Sequence, residues 1–156
     1  RQLLREHPFL DPDRVGITGY SGGGFLAATA MLAFPDLFKV AVAGGGNHDL
    51  NLYEQNSTEY HFGPGPYPTT AELAPRLKGR LMLAHAVQDR DVILAHTLRL
   101  ADALHKADKP FDMMILPAGG HADAFESAAY QRMSWRYFCT NLAPVGEGEG
   151  FAITPV

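Results

Sequence analysis

The chain has 156 residues, 46% of them apolar and 19% charged, with 13 Lys and Arg against 17 Asp and Glu for a formal charge of -4. That is enough chain for one domain with its own core, and the single cysteine, Cys139, excludes an intrachain disulfide and a cysteine-based zinc site. The basic residues are scattered, which argues against a nucleic-acid partner, and no apolar run approaches the roughly 18 to 20 residues of a membrane span.

Short apolar or β-branched runs alternate with longer segments of helical period, a pattern that predicts an α/β fold with a parallel sheet. Leu3 to His7 reads as the end of an amphipathic helix, and without an initiator Met the chain is expected to be a segment of something longer. Turn chemistry at Asp11-Pro12-Asp13 leads into a first strand at 14–19, followed by a helix at 22–34 that is apolar on nearly every side, as a helix covered by other layers would be. A second strand is predicted at 38–43 and ends in Gly44-Gly45-Gly46. The connection from 47 to 77 is long, with a short helical stretch near 49–54 and turns at 64–68, and connections of this length usually carry function. A third strand follows at 81–87, then an amphipathic helix at 93–106 with Leu94, Leu98, Ala101 and Leu104 or His105 near one face. A fourth strand at 111–116 precedes a last helix at 124–142 with Phe125, Ala129, Met133 and Tyr137 in one row. Residues 1–142 form the expected domain, and 143–156 an extended tail.

Gly19-Tyr20-Ser21-Gly22-Gly23 fits G-x-S-x-G at a strand-to-helix junction. Such a turn exposes the Ser21 hydroxyl and aims Gly22 N–H at a developing oxyanion, the flanking glycines supplying room. Three fixed positions recur by chance in about one chain in twenty of this length, so a Gly-rich packing turn or a phosphate-binding turn stands beside the nucleophile reading. A serine nucleophile needs a base and an acid to orient that base. His121 follows the fourth strand, and Asp89 or Asp91 follows the third. In an open parallel sheet these strand ends share one edge with Ser21, in the order Ser, Asp, His. Asp89 is preferred, although either aspartate also suits a turn or a helix N-cap.

With these residues placed, the chain resembles the C-terminal part of the α/β-hydrolase catalytic domain of prolyl oligopeptidase family serine peptidases, on the dipeptidyl-peptidase and acylaminoacyl-peptidase side. The resemblance runs through 11–17 and 19–23, through His85-Ala86-Val87-Gln88-Asp89-Arg90-Asp91-Val92, which selects Asp89, and through Pro117-Ala118-Gly119-Gly120-His121. It implies catalysis by Ser21, Asp89 and His121 with no cofactor, on a peptide substrate. Gly46-Asn47-His48-Asp49 through Leu52-Tyr53-Glu54 resembles the stretch lining the family's S1 pocket, which implies substrate contacts for Tyr53 and Val92. Several relatives carry an aromatic after the nucleophile and a second tyrosine near 57, where this chain has Gly22 and Ser57, so a broader apolar or Ala-type specificity is expected at least as much as a strict post-proline one.

The resemblance also implies partners in the same protein: the N-terminal half of the catalytic domain, with the second oxyanion donor, and an upstream β-propeller. A chain lacking that half is expected to be a poor catalyst by itself and to expose an apolar sheet edge. It leaves room for a homo-oligomer built on the last helix. Three other readings compete. One is a carboxylesterase; another is a metal site from His85, Asp89 and Asp91 or from His48 and Asp49; the third is a non-catalytic fragment that serves only for association.

Overall fold

Strands and helices alternate along the computed structural model, which describes residues 1–53, 58–60, 63 and 69–142. Helix α1 (Gln2–Glu6) precedes β1 (Gly16–Tyr20), α2 (Gly22–Ala33) and β2 (Val40–Gly44). Then come α3 (Thr70–Leu73), a 3-10 turn (Ala74–Arg76), β3 (Arg80–Ala86) and α4 (Ala95–Lys106), and finally β4 (Asp112–Leu116), α5 (His121–Glu126) and α6 (Ala128–Leu142). Each strand lies within two residues of its expected position. The sheet is parallel throughout in the order β1-β2-β3-β4. Tyr20 is level with Gly44, Gly44 with Ala84, and Ala86 with Leu116, so the loops leaving β1, β3 and β4 emerge along one edge. This is a partial α/β-hydrolase fold.

Side-chain parity in the strands builds a core on each face. Ala41, Ala43, Leu81 and Leu83 face Ala27, Ala28, Met31 and Leu32 of α2 and Leu100 and Leu104 of α4. Val42, Met82, Ala84, Ala86 and Met114 face Ala124 and Phe125 of α5 and Tyr130 of α6. All five residues of β2 are buried, as befits a strand covered on both faces. Helix α2 approaches the sheet so closely that a Cβ on Gly24 would strike the Gly44 carbonyl, and one on Gly19 would strike the backbone of Gly23. Gly22 and Gly23 have open space around them. The room that the motif needs is therefore at Gly19 and Gly24, one residue beyond the pattern.

Several local expectations are corrected. Helix α2 buries one face rather than its whole circumference, leaving Leu26 exposed. Residues 50–53 form turns in which Asp49 Oδ1 accepts from Asn51 N, and the end of the helix expected near 49–54 lies outside the described residues, as do the turns at 64–68 and the tail. The unforeseen α3 has a sequence signature: Thr69 and Glu72 form a reciprocal capping box. Helix α4 starts at Ala95 and buries His96, Thr97, Leu100, Ala101 and Leu104, while Leu98 is 49% exposed.

The expected last helix is two helices. Ser127 is extended, and its hydroxyl donates to Ala124 O and accepts from Tyr130 N, so it caps the second piece. The break turns Tyr130 and Ser134 inward and leaves Met133 and Trp135 exposed, in place of the expected row. Among the described residues β1 pairs only with β2. Gly16, Thr18 and Tyr20 are exposed along β1, and an apolar groove of about 530 Å³ runs between this strand and α6. No helix among the described residues is long and apolar enough to cross a membrane.

Candidate active site

Ser21 occupies the one-residue corner between β1 and α2 with φ 58° and ψ -127°, a positive-φ conformation outside the regions that side chains favour. Two backbone bonds hold it there: Ser21 N donates to Gly44 O at 2.8 Å, and Phe25 N donates to Ser21 O at 3.0 Å. The corner projects Oγ away from the sheet edge and leaves Gly22 at the first position of α2, where backbone N–H groups have no helical acceptor.

Asp89 lies in the loop after β3 and is 5% exposed. Its Oδ1 accepts from Asp91 N at 3.0 Å and from Val92 N at 2.9 Å, and its Oδ2 accepts from His121 Nδ1 at 2.6 Å. Because a carboxylate only accepts, the His121 proton sits on Nδ1, and Nε2 is left to accept from Ser21 Oγ at 2.8 Å. Three residues from the ends of β1, β3 and β4 thus form one line. Of the two aspartates in this loop, Asp89 is the one bonded to His121. Tyr20, the residue before the serine, packs on the His121 ring at 5.1 Å, with Phe125 behind it at 5.3 Å. This aromatic support went unnoticed in the sequence, although an aromatic inside the G-x-S-x-G turn was its signal.

A cleft of about 540 Å³ opens beside Ser21 and His121, lined by Leu52, Tyr53, Arg90, Asp91, Ile93 and His96. Tyr53 is in that lining, edge-on to His96 at 6.1 Å. Val92 is not: it is 1% exposed, and Ile93 takes the place beside the serine. Glu54 and Ser57 lie outside the described residues. Arg99 Nη1 donates to Asp49 Oδ2 at 2.6 Å, and Asp49 N donates to His96 Nδ1 at 3.3 Å, so α4 anchors the turn that carries Tyr53.

Behind the cleft lie the buried imidazoles of His48, His85 and His96. Neither His85 ring nitrogen is available to a metal: Nε2 donates to Val92 O at 2.8 Å and Nδ1 accepts from Thr97 Oγ1 at 2.7 Å. The metal alternative finds no set of three His, Cys, Asp or Glu ligands among the described residues. His48 has no hydrogen-bond partner for either ring nitrogen among them. Burial first, then the neighbouring His85 and His96, hold its pKa down at about 3. Burial likewise lowers the pKa of His85 and of His96. A histidine with a lowered folded pKa binds its proton first in the unfolded chain, so stability is retained above pH about 6.5 and falls as pH drops from there toward 3. The urea midpoint is expected to decrease between pH 7 and pH 5, and less steeply in His48→Leu; equal slopes would contradict this.

The family model described as the prolyl oligopeptidase family matches residues 1–143. The chain belongs to the prolyl oligopeptidase family. Within it, mouse and human dipeptidyl peptidase 8 are each 35% identical over 130 residues, 77% of this chain but only 15% and 14% of theirs. The chain therefore spans about one-seventh of the length of these curated relatives. A Bacteroides ovatus structure described as a dipeptidyl aminopeptidase IV superposes with a TM-score of 0.81 at 32% identity, covering 90% of this chain and 21% of that one. Porphyromonas gingivalis dipeptidyl peptidase 4, at 24% identity and a TM-score of 0.74, covers 86% of this chain and 20% of its own, and shares the fold.

Proposed function

We propose that this chain is the C-terminal part of the catalytic domain of a longer serine peptidase, with Ser21 as nucleophile, His121 as general base and acid, and Asp89 as its orienting acid. The observation that carries the reading is the unbroken line from Ser21 Oγ through His121 to Asp89, at 2.8 and 2.6 Å. Ser21 Oγ bonds to the substrate carbonyl carbon as its proton passes to His121 Nε2, and the oxyanion meets Gly22 N–H. His121 then returns the proton to the leaving amine, the C–N bond breaks, and an acyl ester remains on Ser21. Water adds to that ester, giving its proton to His121; the C–O bond to Ser21 breaks, the acid departs and Ser21 regains its proton. These steps consume no cofactor.

The second oxyanion donor and the covering of β1 belong, in this reading, to the N-terminal half of the domain. The edge of β1 that carries no strand among the described residues, and the apolar groove beside it, support that placement. A non-catalytic association module would have no use for a strained serine bonded to a buried Asp–His pair. Peptidase rather than carboxylesterase rests on the relatives' names, which make dipeptidyl amides with a free amino terminus the first substrates to try. Tyr53 and Ile93 beside Ser21 suit a small or apolar side chain before the scissile bond. The full-length protein is expected to cleave Ala- and Pro-ending dipeptidyl amides, with kcat/KM on the Ala series at least comparable. Turnover of short acyl esters with no amide cleavage would overturn the peptidase reading in favour of an esterase.

A further inference from the structure

The buried His85 lies behind the acid of the proposed triad, linked to it through Val92, and its surroundings say which way it acts. It is 0% exposed, the penultimate residue of β3 before the acid loop. A backbone carbonyl only accepts, so the 2.8 Å contact fixes the His85 proton on Nε2, facing Val92 O. Nδ1 must then accept the Thr97 hydroxyl at 2.7 Å, a bond from the first turn of α4 that holds the ring in this tautomer. The same Val92 peptide segment donates its N–H to Asp89 Oδ1 at 2.9 Å. His85 Nε2 is also 3.6 Å from Asp89 Oδ2, the oxygen that receives His121. A histidine in a core strand costs desolvation, and here one nitrogen is spent on the acid loop at Val92 and the other on α4 at Thr97.

We propose that His85 is a positioning residue: with Thr97 it locks Val92, Val92 holds the Asp89 carboxylate, and the carboxylate fixes the orientation of His121 toward Ser21. His85 touches neither the substrate nor the reacting atoms; it acts through Asp89. The explanation also accounts for the burial of Val92, whose backbone, rather than its side chain, serves the site. The inference rests on the Ser21–His121–Asp89 reading, and misplacing a catalytic group by about 1 Å can cost on the order of a hundredfold in rate.

The test compares His85→Leu, His85→Gln and Thr97→Val in the full-length protein, with Ser21→Ala as reference, reading kcat and KM on a dipeptidyl amide and melting temperature in parallel. His85→Leu is expected to lower kcat about ten- to a hundredfold with KM little changed. Glutamine carries an N–H the same number of bonds from the backbone as His85 Nε2, so His85→Gln should recover most of the loss. A folded His85→Leu with wild-type kcat, or His85→Gln no better than His85→Leu at equal melting temperature, would overturn the proposal. If His85→Leu does not fold, Thr97→Val decides: a fall in kcat at unchanged KM supports the positioning role, and an unchanged kcat contradicts it. Activity retained by Ser21→Ala would instead sink the triad reading itself, whatever the His85 variants do.

Discussion

Replacing Ser21 by Ala is expected to lower kcat of the full-length protein about a millionfold, the size of loss seen when a triad nucleophile is removed. The substitution deletes one atom, Oγ, whose bond is to His121 Nε2. The bonds that hold the corner, Ser21 N to Gly44 O and Phe25 N to Ser21 O, use backbone atoms and survive. Alanine has a Cβ as serine does, so the cost of the positive φ is the same in both, and the melting temperature should be unchanged. Steady-state hydrolysis of a dipeptidyl amide by matched wild-type and variant proteins checks this. Activity above about 1% of wild type in a pure sample would exclude Ser21 as the nucleophile.

Asp89→Asn is expected to lower kcat by about 10,000-fold, roughly 5 kcal/mol of lost transition-state stabilisation. The asparagine carbonyl can still accept from Asp91 N and Val92 N, so the loop is retained. Its amide nitrogen then faces His121 Nδ1, where the carboxylate was, and a donor facing a donor drives the imidazole proton to Nε2. His121 would then present a proton to Ser21 Oγ instead of a lone pair, and the base is lost. Asp91→Asn is the companion measurement, because Asp91 shares the loop but has no bond to the imidazole. A loss from Asp91→Asn as large as that from Asp89→Asn would contradict the assignment.

The parts of the fold that local chemistry dictates were legible in the sequence. Four strands, the crossing helices and the strand-end positions of Ser21, Asp89 and His121 follow from period, turn residues and the rule that parallel strands share an edge. The rest depended on contacts between distant residues. Leu98 fits an apolar stripe with Leu94 and Ala101, yet it is exposed, because α4 starts at Ala95 and turns His96 and Thr97 inward to meet Asp49 and His85. Nothing local marks a histidine and a threonine as the buried face of an amphipathic helix.

The break at Ser127 and the capping box at Thr69 did have local signatures, of a kind that a long apolar pattern hides. At the site, turn chemistry alone left Asp91 open beside the preferred Asp89; in the loop, two backbone N–H groups fold onto Asp89 Oδ1 and turn Oδ2 to the imidazole. His85 stood in plain view as a polar residue in an apolar strand, and only its partners reveal what it does.

The most direct measurement is covalent labelling of the folded full-length protein by a fluorophosphonate, with the modified residue located by peptide mass spectrometry. The probe requires an activated serine and presupposes no substrate. The account predicts a single adduct on Ser21, absent from Ser21→Ala and strongly slowed in Asp89→Asn. A folded protein that does not react, or that reacts at another serine with Ser21 unmodified, would contradict it.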